Sequence, residues 1–181
     1  MKAILIPGHK ADRPGAKNKE AGVSEFGFNS GLIDEIRKKF KGEQELVKVN
    51  RVTYKALPKD VNRHKPTFVL SFHCNAFNTE ASGAEVLYYH SSIHGKAIAE
   101  IFQAEFVGLG LKDRGVKPKG TEDRGGYLLR YVNAPIIILE PFFIDNDDDY
   151  ALIVKKHRAL VNAYGRALEK SFAYFEGGEE A

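Results

Sequence analysis

Residues 67–72, Thr-Phe-Val-Leu-Ser-Phe, form an almost uninterrupted apolar run that Pro66 precedes and His73 follows. A run of this length, bounded by a proline and a polar turn, is typical of a strand buried on both faces of a parallel sheet. In open α/β sheets, ligands bind beyond the carboxyl ends of the strands, which is where His73 stands. The run therefore predicts a parallel sheet, and His73 is either a site residue or a core histidine with satisfied hydrogen bonds.

The rest of the chain alternates between strand and helix patterns. Further strands are predicted at residues 2–7, 45–50, 84–89 and 135–143. Helices are predicted from Ser24 to Gly42, within 54–65, from Ser91 or Ser92 to residue 107, and over 147–174. This order predicts a single α/β domain with a twisted, mostly parallel sheet flanked by helices on both faces. Residues 111–126 are expected to form a long basic loop, and strand 84–89 to run antiparallel to strand 67–73.

Length and composition limit the size and the partners of this chain. Its 181 residues suit one globular domain, which we expect at 1–175, followed by a disordered tail at 176–181. The net charge of +3 is too small and too scattered to indicate nucleic-acid binding. The single cysteine excludes an internal disulfide, and no run approaches the ~20 apolar residues of a membrane helix. The amino end is too short for a signal peptide, so we expect synthesis as a soluble cytoplasmic protein.

Three chemistry-bearing side chains stand at the ends of apolar strands. His9 and His73 each follow one strand, and Glu140 ends another. Because the carboxyl ends of parallel strands meet at one edge of a sheet, these side chains are expected to converge. Two imidazoles and a carboxylate indicate a transition-metal site, and hydrolytic zinc sites hold three protein ligands and one open position. The third ligand is either Glu25, at the start of the first helix, or Glu20, which is less well held in the preceding loop.

If His9, Glu25 and His73 bind the metal, Glu140 remains as a fourth group beside it. A buried carboxylate with a raised pKa can accept a proton from water and then donate it to a leaving amine. The alternative is a strand-end carboxylate that pairs with a nearby arginine or lysine.

The same residues carry a resemblance to the zinc-dependent N-acetylmuramoyl-L-alanine amidases of the type 3 family. It rests on Pro7-Gly8-His9, on Glu25 four residues before Asn29, on Ser71-Phe72-His73-Cys74-Asn75-Ala76 and on Pro135-Ile136-Ile137-Ile138-Leu139-Glu140. Arg51, Gly83-Ala84-Glu85, Ser91 and Phe143-Ile144-Asp145-Asn146 also agree, and the similarity covers roughly residues 2–170.

The resemblance implies that His9, Glu25 and His73 bind Zn²⁺ and that Glu140 is catalytic. It implies cleavage of the amide between the lactyl group of N-acetylmuramic acid and the first L-alanine of the peptidoglycan stem peptide. One departure is Lys65-Pro66, where the family often has an aspartate.

With no recognisable wall-binding domain or export signal, the chain resembles a compact phage endolysin that acts on the bacterial cell wall after release. The alternatives are a zinc peptidase that cuts within the stem peptide and a wall-binding module without catalysis.

Several other polar residues have weaker patterns. Asn75, Glu85 and Arg130 are predicted to contact substrate; the alternatives are that Asn75 only ends its strand and that Glu85 occupies a solvated strand position. The basic residues of 111–130 either grip the anionic stem peptide or form a solvated face; they are Arg114, Lys117, Lys119, Arg124 and Arg130. Cys74 is predicted to be a reduced, buried thiol, because neighbouring strand residues point to opposite faces. The remaining histidines are predicted to be solvated surface residues rather than ligands; they are His64, His90, His94 and His157.

Overall fold

The computed structural model describes residues 1–177. The strands are β1 (Lys2–Pro7), β2 (Lys17–Asn18), β3 (Val23–Ser24), β4 (Glu45–Lys48), β5 (Phe68–Phe72), β6 (Ala84–Tyr89), β7 (Asp113–Lys119) and β8 (Ile136–Glu140). The helices are α1 (Glu25–Lys39), α2 (Leu57–Asn62), α3 (Ile93–Val107), α4 (Gly126–Tyr131), α5 (Asp147–Lys155) and α6 (His157–Gly177).

Six of these strands form one sheet in the order β4-β1-β5-β8-β6-β7. Strands β4, β1, β5 and β8 run parallel, so their carboxyl ends share one edge. Strand β6 pairs antiparallel with β8, and β7 pairs parallel with β6. The predicted mostly parallel sheet is therefore confirmed. Strand β6 does run opposite to β5, but β8 lies between them.

Helices cover both faces of the sheet, as predicted. Helices α1, α3, α5 and α6 bury the larger core, in which the rings of Phe72 and Tyr164 stack with centroids 4.9 Å apart. Each large apolar side chain fully buried there stabilises the fold by roughly 1.5–3 kcal/mol. Among the described residues, the other face carries only the short helices α2 and α4. This thinner layer leaves room for a cleft over the sheet near β6 and β8.

The start of α1 is fixed by its cap and by the preceding loop. The Ser24 hydroxyl accepts a hydrogen bond from the backbone N–H of Gly27 at 3.2 Å, as expected of an N-cap serine. The backbone N–H of Glu25 donates to the carbonyl of Ala16 at 2.9 Å. These bonds hold Glu25 at the first helical position, beside the loop that leaves β1.

Two sequence predictions about secondary structure are wrong. Residues 111–126 are not one loop, because 113–119 form β7 at the edge of the sheet. An edge strand pairs on one side only, so it tolerates charged residues, glycine and proline. This composition made the segment resemble a loop. The predicted helix 147–174 is two helices that separate at Lys156, where neither glycine nor proline marks the break.

The carboxyl end of α6 overlaps the predicted tail. Glu176 and Gly177 continue α6, whereas 178–181 lie outside the described residues. Within residues 1–177, no helix has both the length and the apolar character needed to cross a membrane.

Candidate active site

Two histidines and one glutamate meet at the carboxyl edge of the parallel strands. His9 follows β1, His73 follows β5, and Glu25 opens α1. The two carboxylate oxygens of Glu25 lie 2.8 Å from Nδ1 of His73 and 3.1 Å from Nε2 of His9. The potential ligand atoms of the three residues all lie within 4.8 Å of one another. Glu20 is exposed and does not belong to this group.

Two glycines permit this close approach. A Cβ atom on Gly8 would lie 2.6 Å from the His73 ring, and a Cβ atom on Gly15 would lie 2.5 Å from both Glu25 and His9. Gly15 also has a φ of +79°, in the left-handed region that favours glycine. Any side chain at either position would therefore push the imidazoles or the carboxylate aside.

Glu25 is held as a buried anion. Only 1% of its surface is exposed, and it also accepts hydrogen bonds from the backbone N–H groups of Ala16 and Cys74, each at 3.2 Å. Burial favours the neutral carboxyl, but the neighbouring rings of His73 and His9 outweigh it and lower the pKa of Glu25 far below its usual range. The two histidine rings and the two backbone N–H groups therefore favour and orient the ionised carboxylate.

The donor set fits a zinc ion. Imidazole nitrogens and carboxylate oxygens are zinc ligands, and around a tetrahedral ion they stand about 3.3–3.6 Å apart, compatible with the observed cluster. Among the described residues, the buried Nε2 atom of His9 forms no well-oriented hydrogen bond, although a Glu25 carboxylate oxygen lies 3.1 Å away. A bound metal ion would give this nitrogen a well-oriented partner.

Glu140 ends β8 in a cleft of about 400 Å³ that His9 and His73 also line. Glu140 is only 8% exposed, and within residues 1–177 its Oε2 atom has no hydrogen-bond partner and its carboxylate forms no ion pair. Burial, and secondarily the charge of Glu25, raise the pKa of Glu140 well above its usual value, although Arg124 opposes this. The alternative of a strand-end carboxylate paired with a cation does not describe this residue.

Two of the three predicted substrate residues line the same cleft. The side-chain amide of Asn75 donates to Glu85 at 2.8 Å, and Glu85 also accepts a hydrogen bond from Arg114 at 2.9 Å. Arg130 lies elsewhere, with its guanidinium 5.9 Å from the Tyr89 ring centroid. The structure therefore brings Asn75 and Glu85 to the site and leaves Arg130 outside it.

The cations of the cleft come from two parts of the chain. Of the basic residues in 111–130, Lys119 and Arg124 line the cleft. Sequence reasoning did not assign Arg51 and Tyr54 to the site, although both line it. The sequence could have indicated Arg51, because this residue follows β4. Strand β4 is parallel to β1, so residues that follow it lie at the same sheet edge as His9.

The Cys74 thiol and the other histidines do not belong to the group of potential metal ligands. Cys74 is buried, and burial raises the pKa of its thiol, as a core position requires. His94 hydrogen-bonds the Tyr174 hydroxyl at 2.9 Å, and His157 lies 2.6 Å from Glu35. His64 and His90 are exposed. The described residues thus contain one cluster with a metal-ligand set.

Comparison with known proteins connects this geometry to a family. A family model described as N-acetylmuramoyl-L-alanine amidase (Amidase_3) matches residues 4–170. N-acetylmuramoyl-L-alanine amidase LytC of Bacillus subtilis is 27% identical over 155 residues, which are 81% of this chain and 30% of that protein. Probable cell wall amidase LytH of Staphylococcus saprophyticus is 24% identical over 160 residues, which are 87% of this chain and 53% of that protein.

A solved structure has the same fold. The crystal structure of an N-acetylmuramoyl-L-alanine amidase from Clostridium difficile 630 matches with a TM-score of 0.85 at 20% identity, covering 95% of this chain and 96% of that one. The chain spans less than two thirds of the length of the two curated relatives above.

Proposed function

The chain belongs to the N-acetylmuramoyl-L-alanine amidase family, as its motifs predict, and we propose that it is a zinc-dependent hydrolase acting on peptidoglycan. The bond cleaved is the amide between N-acetylmuramic acid and L-alanine. One observation carries the proposal: the cluster of His9, Glu25 and His73 opens into the cleft that contains the buried, unpaired Glu140.

Each residue of the cleft has a chemical task in this proposal. His9, Glu25 and His73 would hold a zinc ion, which would supply the Lewis acidity that polarises an amide carbonyl and lowers the pKa of water. Glu140 takes the proton from the attacking water and donates it to the departing alanine nitrogen. The raised pKa of Glu140 suits this task, because the carboxyl must retain the proton between the two steps.

The walls of the cleft support this proton transfer. Leu87, Leu128 and Ile138 give the cleft an apolar side against which Glu140 stands. An apolar wall weakens dielectric screening, so charges that develop during the reaction interact more strongly with their neighbours.

The experiment compares the protein with three variants on purified peptidoglycan, after measuring bound zinc in each sample. We expect Glu140→Gln to bind zinc like the parent protein and to lose at least ~100-fold in rate, the usual contribution of a general acid–base group. His73→Ala should lose both zinc and activity. Glu20→Gln is the control, because it removes a nearby exposed carboxylate outside the cluster.

Mass spectrometry of the digest separates the proposed reaction from its alternatives. The amidase releases intact stem peptides that begin with L-alanine, together with glycan that has lost them. New termini inside the stem peptide would instead identify a zinc peptidase. Binding to the wall without any released product would identify a non-catalytic module, and retained activity in Glu140→Gln would remove Glu140 from the mechanism.

The biological role in this proposal is that of a phage endolysin released to the wall. Cells that accumulate the protein in the cytoplasm should then keep intact walls until their membrane is permeabilised, and lyse afterwards. Lysis without permeabilisation would contradict this role and favour a wall enzyme with its own export route.

A further inference from the structure

The cleft extends along the face of the sheet, away from the metal cluster. Strand β6 pairs Glu85 with Glu140 at the catalytic edge, and it pairs Tyr89 with Lys119 of β7. Glu85 and Tyr89 are four residues apart on one strand, so they share a face of the sheet and stand about 13 Å apart. Lys119 therefore lines the cleft at a position remote from the catalytic carboxylate.

The cleft carries an excess of unpaired positive charge. Arg51, Lys119 and Arg124 all line it, and within residues 1–177 none of the three has a carboxylate oxygen within 4.0 Å. The carboxylate of Glu85, in contrast, is already engaged by Arg114 at 2.9 Å. Cations that face a partly apolar cleft without internal partners are suited to bind an anionic ligand.

The chemistry of the substrate determines which part of it can meet Lys119, and this step rests on the proposed function. N-acetylated sugars are uncharged, and the lactyl carboxyl of the muramic acid is consumed in the scissile amide. Free carboxylates therefore occur only on the peptide side of that bond. Three extended residues cover at most about 10–11 Å, and the flexible four-carbon stem of Lys119 can span the remaining distance from a register position about 13 Å away.

We propose that Lys119 is a specificity-determining residue that binds a free carboxylate on the second or third residue of the leaving stem peptide. The register position of Lys119 lies about 13 Å along the sheet from that of Glu85, the residue that pairs with Glu140. The contribution of Lys119 is therefore to substrate binding, and it should appear in KM rather than in kcat.

The test measures binding of synthetic tripeptides that begin with L-alanine and represent the leaving peptide. The first peptide carries free carboxylates on its second and third residues. Of the other two, one is amidated at the second residue and one at the third. Calorimetry with the zinc-loaded full chain compares the parent protein with Lys119→Gln and Lys117→Gln. Lys117 is the matched control, because it lies two residues away on β7, is exposed and does not line the cleft.

We expect the parent protein to bind the free acid at least about tenfold more tightly than the peptide that is amidated at the contacted residue. That peptide cannot form the charge-assisted hydrogen bond with Lys119. Lys119→Gln should bind the three peptides alike, and Lys117→Gln should keep the preference. Both variants should unfold at the parent temperature, because the backbone carbonyl of Lys119, which accepts from His90 at 3.0 Å, is unchanged.

The inference is overturned if the parent protein binds the three peptides within twofold of one another. It is also overturned if Lys119→Gln keeps the preference, or if Lys117→Gln loses it equally. Hydrolysis of the corresponding N-acetylmuramoyl tripeptide is measured separately. A protein that selects the free acid but hydrolyses nothing would contradict the proposed function and leave the carboxylate site supported.

Discussion

Replacing Gly15 with alanine should displace the residues of the metal cluster, although Gly15 lies in an exposed loop. In Gly15→Ala, the new Cβ atom would lie 2.5 Å from Oε2 of Glu25 and 2.5 Å from Cδ2 of His9. Non-bonded carbon atoms prefer a separation of about 3.5–4.0 Å, so the contact with His9 is short by roughly 1 Å. Zinc sites tolerate only about 0.2 Å of variation in ligand distance. Relieving the clash therefore moves at least one ligand out of range.

The magnitude has two parts that can be measured separately. Gly15 has a φ of +79°, and placing a Cβ atom in that conformation costs roughly 1–2 kcal/mol of unfolding free energy. The clash with two held side chains adds about 1–3 kcal/mol, as other overpacked sites do. Displacement of a ligand should weaken zinc binding by tenfold or more, which corresponds to at least about 1.4 kcal/mol.

Gly22→Ala is the matched control for this prediction. Gly22 lies in the same loop region, is also exposed and has a φ of +66°, but a Cβ atom there would meet nothing within 4 Å. Urea unfolding in a chelator should reveal the conformational cost in both variants and the extra clash only in Gly15→Ala. Competitive zinc titration should then give parent-like affinity for Gly22→Ala and a weakened site for Gly15→Ala.

The reasoning would be refuted if Gly15→Ala bound zinc as tightly as the parent protein. Such a result would mean that the loop moves away and the ligands stay in place, so that Gly15 does not hold the cluster together. A second refutation would be equal loss of zinc in both variants, because the shared backbone strain would then be sufficient to explain it.

Two further predictions concern stability. Glu105 is partly desolvated, but hydrogen bonds from Arg166 and Lys170 outweigh this effect and lower the pKa of its carboxyl. The ionised carboxylate therefore stabilises the fold above its ordinary pKa near 4.5, and this stabilisation is lost as the pH falls through the folded-state pKa. Glu105→Gln should lose stability at pH 7, and its melting temperature should fall less steeply than that of the parent protein as the pH is lowered. The hydroxyl of Tyr164 is fully buried and has no hydrogen-bond partner within residues 1–177, so Tyr164→Phe should leave the urea-derived unfolding free energy unchanged or raise it by about 1 kcal/mol, whereas a loss above about 1 kcal/mol would contradict this.

The positions of the site residues could be inferred from sequence because strand ends are easy to recognise. His73 follows a run that reads as a buried parallel strand, and its partner strands β1 and β8 are equally apolar. In a parallel sheet, recognising each strand is enough to say that its end lies at the common edge. No information on distant contacts was needed to place His9, His73 and Glu140 on one side of the molecule.

The elements that sequence reasoning missed are those without an apolar pattern. Strand β7 reads Asp-Arg-Gly-Val-Lys-Pro-Lys, and nothing in that composition distinguishes an edge strand from a loop. Its pairing with β6 is a tertiary contact that supplies no local signal. The same limitation hid the position of Lys119, which became significant only when its register opposite Tyr89 was known.

Helix capping favours Glu25 over Glu20 as the third residue of the cluster. Ser24 caps α1, and the residue after a cap occupies the first helical position, whose orientation is fixed by the backbone. A helix amino end also favours an anionic side chain, which suits a carboxylate that must stay ionised when buried. Glu20 has neither advantage in its exposed turn. The cap could not reveal that a Cβ atom would lie only 2.5 Å from its neighbours at Gly15 and 2.6 Å at Gly8, because the need for glycine there arises only once three separate segments converge.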